Sequence, residues 1–171
     1  MHLRASPTVV AIAMLFANVD ASAQTVEIAR GKYLANFGGC NDCHTPGYFF
    51  GKPDMTRYLG GSEVGFEIPD LGIFHGPNLT PDKETGLGTW TRAQIVSSLK
   101  TGVRPDGRIL APIMPWRAFA TMTSNDLTAI AAYLQSLKPV ENKVPGPFGP
   151  KETPTSFVMK IVPPPGGAPP R

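Results

Sequence analysis

Cys40, Asn41, Asp42, Cys43 and His44 follow one another, and no other stretch of this chain is so well suited to chemistry. Two thiols two residues apart, with an imidazole directly after the second, spell C-x-x-C-H, the attachment signature of c-type haem. The spacing has a mechanical reason. The thiols add to the two vinyl groups on one edge of the ring, and a tight helical turn spans those vinyls. The next residue then projects beneath the iron, so His44 becomes the proximal ligand. Cys40 and Cys43 are thioethers on this reading, and neither is a free thiol or half of a disulfide.

Other uses of these residues are poorer matches. Two cysteines make no disulfide framework. A structural zinc site needs two more good ligands, and beyond the first few residues only His75 is on offer. A thioredoxin-like dithiol sits in a βαβ context, which the chain does not display. A non-haem metal or dithiol protein is the rival reading that a haem stain separates.

The sixth ligand of such an iron comes from a distant residue, or the position stays open. The candidates are Met55, Met114, Met122, Met159 and His75. Met122 has a structural task ahead of a helix. Met159 lies in a Pro-rich tail, away from rigid support. Met55 follows His44 closely and suits loop packing. Met114 sits in Ala111-Pro112-Ile113-Met114-Pro115-Trp116, where two prolines restrict the backbone, and is preferred. His75 is the alternative, and bis-His ligation lowers the potential relative to His/Met. A buried ring with two propionates needs donors at its rim. Asn78, Trp90 and Arg57 are the candidates, although Asn78 also suits an Asx-turn and Trp90 a helix staple. Ile113, Trp116, Phe119, Leu99 and Tyr133 are candidate pocket residues.

Helices and loops must place these groups. A first helix is expected after Thr25, which can cap it. Val26, Ala29, Tyr33 and Phe37 fall on one face, and Gly38-Gly39 ends it. From Thr45 to Thr89 the helical period vanishes while Gly and Pro recur. A loop that long needs something to wrap around, and a large cofactor serves. A second helix begins near Trp90, with Thr91 and Gln94 as capping box, Trp90 and Ile95 as staple, and Gly102 at its left-handed end. The last helix carries Thr123 and Asp126 as capping box and Met122 with Leu127 as staple. Leu127, Ile130, Ala131, Leu134 and Leu137 form its face, and Pro139 stops it. Residues 139–171 hold ten prolines and read as an extended tail lying partly on the domain. No strand is expected, so the fold class is all-α: three main helices, long loops and a tail.

Composition sets the class. The 171 residues are 42% hydrophobic, enough for one domain with a real core. Only 17% are charged, which argues against charge-driven disorder. A net charge of +3 with scattered Lys and Arg excludes a nucleic-acid footprint. Residues 1–23 read as a secretory signal: His2-Leu3-Arg4, an apolar run from Thr8 to Val19, then Ala21-Ser22-Ala23. That run is too short to span a membrane, and no later run approaches the required length. The expected division is a signal peptide over 1–23, a mono-haem domain over 24–138 and an extension over 139–171. Export fits, because bacteria attach c-type haem outside the cytoplasm.

Several segments together resemble a known family. They are Arg30-Gly31-Lys32-Tyr33-Leu34, Cys40 to Thr45, Pro77-Asn78-Leu79-Thr80-Pro81-Asp82, Glu84 to Trp90, Met114-Pro115 and Ala131-Ala132-Tyr133-Leu134. The chain is similar to class I c-type cytochromes, and more narrowly to the cytochrome c domains and subunits of periplasmic alcohol, aldehyde and related dehydrogenases. The likeness spans about Ile28 to Val140. It implies an all-α fold whose terminal helices cross near the haem, with Gly31 and Tyr133 at the crossing. It also implies thioethers at Cys40 and Cys43 and axial ligands His44 and Met114. The implied function is outer-sphere transfer of single electrons in the periplasm, from a dehydrogenase to an oxidase or another cytochrome, rather than catalysis. The single C-x-x-C-H and the lack of an apparent anchor depart from the longer dehydrogenase subunits and favour a small carrier. The competing function is a haem enzyme or gas sensor with an open or displaceable sixth site.

Overall fold

No Gly or Pro interrupts the stretch from Thr8 to Arg30, and Ala, Leu and Met recur in it. Such a segment continues a helix once started. In the computed structural model, which describes residues 7–167, it forms a single helix α1, Pro7–Phe37. Pro7 takes the first helical position, where its missing N–H costs nothing. The helix therefore does not start at Thr25 as expected; Thr25 lies inside it. The first six residues of the expected leader lie outside the described residues. Among the described residues no helix is long and apolar enough to cross a membrane.

The buried face of α1 also differs from the expected one. Val26, Tyr33 and Phe37 are exposed, Phe37 by 82%. The face turned inward is Gly31, Leu34 and Ala35, with Ile28 packed beside them. Small residues at helical spacing let a second helix approach closely. That helix is α5, Ser124–Ser136, whose Leu127, Ile130, Ala131, Tyr133 and Leu134 are buried. A Cβ on Gly31 would collide with the backbone carbonyl of Ala129 and lie 2.8 Å from Tyr133 Cβ. Gly31 and Tyr133 thus stand at the crossing of the first and last helices.

Between them, α2 (Cys40–His44), α3 (Arg92–Thr101) and α4 (Trp116–Phe119) complete the α-helices of the described residues, with short 3-10 turns at Tyr48–Phe50 and Met55–Arg57. Both ends of α3 form as its sequence dictates. Thr91 accepts from the Gln94 N–H, and the Gln94 side chain accepts from the Thr91 N–H. Gly102 closes the helix at φ 73°, giving its N–H to the Ser98 carbonyl. Thr91→Ala is expected to lower unfolding free energy by about 1 kcal/mol in urea titration. Arg92 bonds Glu27 at 3.2 Å and Gln135 at 3.2 Å, tying α3 to α1 and α5.

The all-α expectation holds only roughly, since a small sheet of order β2-β1-β3 stands beside the five α-helices. Strands β1 (Val64–Ile68) and β2 (Gly72–His75) pair antiparallel across a tight turn with Asp70 at φ 63°. Strand β3 (Phe157–Met159) comes from the tail and runs parallel to β1, setting Val64 opposite Phe157. Each strand has five residues or fewer, and Gly65 and Gly72 weaken the local strand signal. Pairing with the distant tail supplies what local propensity does not. Met159 is correspondingly on a sheet edge, not on an unsupported tail.

The tail lies on the domain along much of its described length. Ile73 and Phe148 exchange both backbone hydrogen bonds, at 2.8 and 3.0 Å. Asn142 donates to the Gly60 carbonyl at 2.8 Å, and Lys160 pairs with Glu67 at 2.6 Å.

Candidate functional site

Gly39, at φ 68°, turns the chain out of α1 into α2. One helical turn then sets Cys40 and Cys43 three residues apart on the same side. Both are reduced and half-buried. Burial pushes the Cys40 thiol up to about 11, and burial with the nearby Asp42 raises Cys43 as well. Both are therefore protonated at neutral pH, unlike the depressed thiols of redox dithiols. Among the described residues no cluster of three or more His, Cys, Asp or Glu side chains could hold a metal ion.

His44 is buried, and its Nδ1 lies 2.7 Å from the Pro77 carbonyl oxygen. A carbonyl only accepts, so Nδ1 carries the hydrogen and Nε2 keeps its lone pair. That tautomer is the one an Nε2 metal ligand requires. Burial also pushes the imidazole pKa down, which keeps it neutral.

The long loop folds back to hold this arrangement. Gly61 N–H donates to the His44 carbonyl at 2.8 Å, and Gly47 N–H to Glu63 Oε1 at 2.8 Å. Thr45 Oγ1 accepts from the Leu59 N–H at 2.9 Å and donates to Asn41 at 2.8 Å. Leu59 is fully buried at φ 57°, a conformation disfavoured for Leu and held by bonds at both its N–H and its carbonyl. Gly76, just before Pro77, packs so closely on the Cys43 carbonyl that no Cβ fits.

Met114 is half-buried in a turn closed by its N–H to the Ala111 carbonyl at 2.9 Å. Its own carbonyl accepts from Trp116 N–H at 2.8 Å, which leads into α4. Phe119 at the end of α4 lies against Gly38, where a Cβ would meet its ring at 3.0 Å. The segment that carries Met114 is thereby brought beside the start of the cysteine turn. Of the other methionines, Met55 is 60% exposed, Met122 packs against the core, and Met159 lies on β3.

His75 has a different set of neighbours. Its Nε2 is 2.7 Å from Ser156 Oγ, and its ring meets Phe148 edge-on. It is therefore engaged with the tail.

The rim candidates separate. Asn78 is buried and spends both amide hydrogens inside the protein, on Thr85 Oγ1 at 3.0 Å and the Val140 carbonyl at 2.6 Å. Its oxygen accepts from the Thr80 N–H and hydroxyl. It is the shelf on which the tail rests, and has no donor left for a ligand. Arg57 is exposed and gives its Nε–H to Asp54 at 2.8 Å. Trp90 packs against the core cluster, and no protein acceptor takes its indole N–H among the described residues. Ile113 is 47% exposed, whereas Trp116, Phe119 and Leu99 are half-buried. Tyr133 is buried beside Cys40, and burial with a hydrogen bond to Tyr58 keeps its phenol protonated.

Sequence reading missed Arg104, whose guanidinium stacks 5.1 Å from the Trp90 ring. Its Nε is buried without a hydrogen-bond partner. The donor set fits a haem c: two protonated thiols on one turn, an oriented imidazole, and an orphaned cationic donor near the Trp90 ring.

Comparison with known proteins agrees in kind. Residues 28–138 match the family model "Cytochrome c". The chain is 36% identical over 121 residues to the cytochrome c subunit of a quinone-dependent alcohol dehydrogenase from Gluconobacter oxydans, covering 69% of this chain and 23% of that protein. It is 35% identical over 135 residues to the fructose dehydrogenase cytochrome subunit of Gluconobacter japonicus, covering 75% and 26%. The gluconate 2-dehydrogenase cytochrome c subunit of Pantoea cypripedii is 32% identical over 114 residues, covering 67% and 24%. The chain spans about a quarter of the length of these curated relatives.

Proposed function

The chain belongs to the cytochrome c family, and on that premise we propose that it is an exported single-haem electron carrier. It takes electrons one at a time from a periplasmic dehydrogenase and passes them to an oxidase or another cytochrome. Membership in the family brings covalent haem c and electron transfer with it. The observation that carries the finer reading is the His44 Nδ1 contact with the Pro77 carbonyl, which presents Nε2 as a fixed ligand.

Cys40 and Cys43 would hold the ring as thioethers, and His44 and Met114 are the residues that would ligate its iron. When bound, haem supplies a one-electron couple between ferric and ferrous iron. With His44 and Met114 both committed to the iron, no position would be left for substrate, and transfer would be outer-sphere. Pro77 fixes the imidazole and the Pro112–Pro115 segment fixes Met114, which keeps the geometry alike in both oxidation states. Of the rim residues, Trp90 and Arg57 keep N–H donors that no protein acceptor takes among the described residues, while Asn78 serves the fold. The leader over 1–23 directs export, and residues 140–160 strap the domain.

The ferric spectrum of the purified protein tests this. Methionine-sulfur ligation gives a weak near-infrared charge-transfer band beside the c-type haem bands. Met114→Ala is expected to abolish that band, lower the potential and let the reduced protein bind carbon monoxide. A band that survives the substitution removes Met114 from the site. Ready binding of carbon monoxide by the unmodified reduced protein would replace the carrier with an open-site haem enzyme or sensor.

A further inference from the structure

Phe157, Met159, Ile161 and Val162 are four large apolar residues within six positions of the tail, and all are exposed, Ile161 by 86%. Phe50, also exposed, meets Phe157 edge-on with ring centroids 5.0 Å apart. The register sets Phe157 opposite Val64 and Met159 opposite Phe66, so Phe157 and Met159 share one face of the sheet. Between that face and Phe49–Phe50 lies a groove of about 260 Å³, lined also by Val64. Apolar groups gathered in water in this way mark a contact surface.

The backbone points to the same place. Strand β3 pairs with β1 alone, so its outer edge is an unpaired row of N–H and C=O groups among the described residues. The opposite edge of the sheet is closed, because Phe148 exchanges both backbone bonds with Ile73 of β2. Edge strands are usually kept from pairing with one another by charge or proline. Residues 155–162 contain no proline and one charged side chain, Lys160. That ammonium is taken by Glu67 at 2.6 Å. Two identical edges therefore approach without a bare like charge between them. Pro154 and Pro163 bound the stretch, so strand pairing stops at either end.

We propose that two copies of this chain associate through β3, antiparallel and edge to edge, joining their sheets into one of six strands. A two-fold axis perpendicular to the sheet gives antiparallel pairing and keeps Phe157 and Met159 of both copies on one face. Those side chains cover each other, and Ile161 and Val162, which stand clear of their own domain, reach toward the other copy's groove. A second copy is the occupant because the groove and the uncovered apolar side chains belong to the same tail. With one open edge on each copy, the assembly closes at two. Association also fastens the strap, since Ser156, directly before β3, holds His75 Nε2 at 2.7 Å, two residues from Pro77.

The experiment is sedimentation velocity of the purified holoprotein over a concentration series, on the unmodified chain, Ile161→Lys, Met159→Lys and Val26→Lys. The contact is small, so a reversible monomer–dimer equilibrium in the micromolar range is expected. Ile161 lies beyond the strand and contributes little to its own fold, so Ile161→Lys adds charge to the contact without loosening β3. It and Met159→Lys are each expected to weaken dimerisation by about tenfold or more. Val26→Lys adds the same charge on α1, at a side chain 67% exposed, and should leave dimerisation unchanged. Amide exchange of residues 155–162 should slow as the concentration of the unmodified chain rises. A protein that stays monomeric at about 1 mM overturns the proposal and assigns the edge to a different partner. A dimer that survives Ile161→Lys and Met159→Lys, or that Val26→Lys weakens equally, places the contact elsewhere and overturns it too. Neither result touches the haem assignment, which the spectrum decides.

Discussion

Replacing both Cys40 and Cys43 with Ala is expected to abolish covalent haem entirely. On a denaturing gel the haem stain should vanish from the double variant, while a single Cys43→Ala chain keeps one possible thioether. The expectation follows from the local structure of α2. One helical turn carries both thiols three residues apart on the same side, and His44 follows in the tautomer that leaves Nε2 free. Burial keeps both thiols protonated, which is unhelpful to a zinc site or a dithiol oxidoreductase. Those rivals make a different prediction. Their double variant would lose bound zinc or disulfide exchange, and no haem stain would be present at the outset. A stain that persists after both cysteines are gone would sink the thioether assignment.

Substituting Gly31 is the second large effect. By helix propensity alone, Ala for Gly inside a helix should stabilise by about 1 kcal/mol. The packing argument gives the opposite sign. The new Cβ would collide with the Ala129 carbonyl, a backbone atom of α5 that cannot rotate away. Separating α1 from α5 to make room would open the core at Leu34, Ala35, Ile130 and Tyr133. A net loss of about 1–3 kcal/mol is expected for Gly31→Ala, and about 3 kcal/mol or more for Gly31→Val. Urea unfolding of the haem-loaded variants measures both. A neutral or stabilising Gly31→Ala would show that the crossing tolerates a methyl group and that propensity decides.

What could be read from the sequence was governed by distance along the chain. Thr91 with Gln94, and Gly102 after α3, act within one helical turn, and the caps form as their residue types dictate. The C-x-x-C-H turn is equally local. The buried face of α1 is not legible from the sequence because large apolar residues do not mark it. Here the inward positions include Gly31 and Ala35, chosen for closeness, while Tyr33 and Phe37 stack on each other in solvent. The sheet escaped notice because β3 pairs with a strand more than ninety positions earlier in the chain, and no window of sequence contains both. Arg104 was one among several scattered basic residues. The signal that marks it is in the turn Arg104-Pro105-Asp106-Gly107-Arg108, where one carboxylate faces two guanidinium groups. Which arginine is left over depends on burial, and burial needed the fold.

The contacts of the tail have a temporal consequence. Asn78 meets the Val140 carbonyl across 62 positions, and Asn142 reaches Gly60 across 82. These are the bonds that hold down the loop carrying Pro77, the residue that orients His44. A chain threaded through a membrane with its N-terminus leading would deliver the cysteine turn first and the strap last. In that interval the Asn78 amide has no Val140 carbonyl to meet, and the loop is not yet fastened. Residues 140–159 would arrive last and fasten the loop, so the order of residues along the chain is also the order in which the loop and its strap become available.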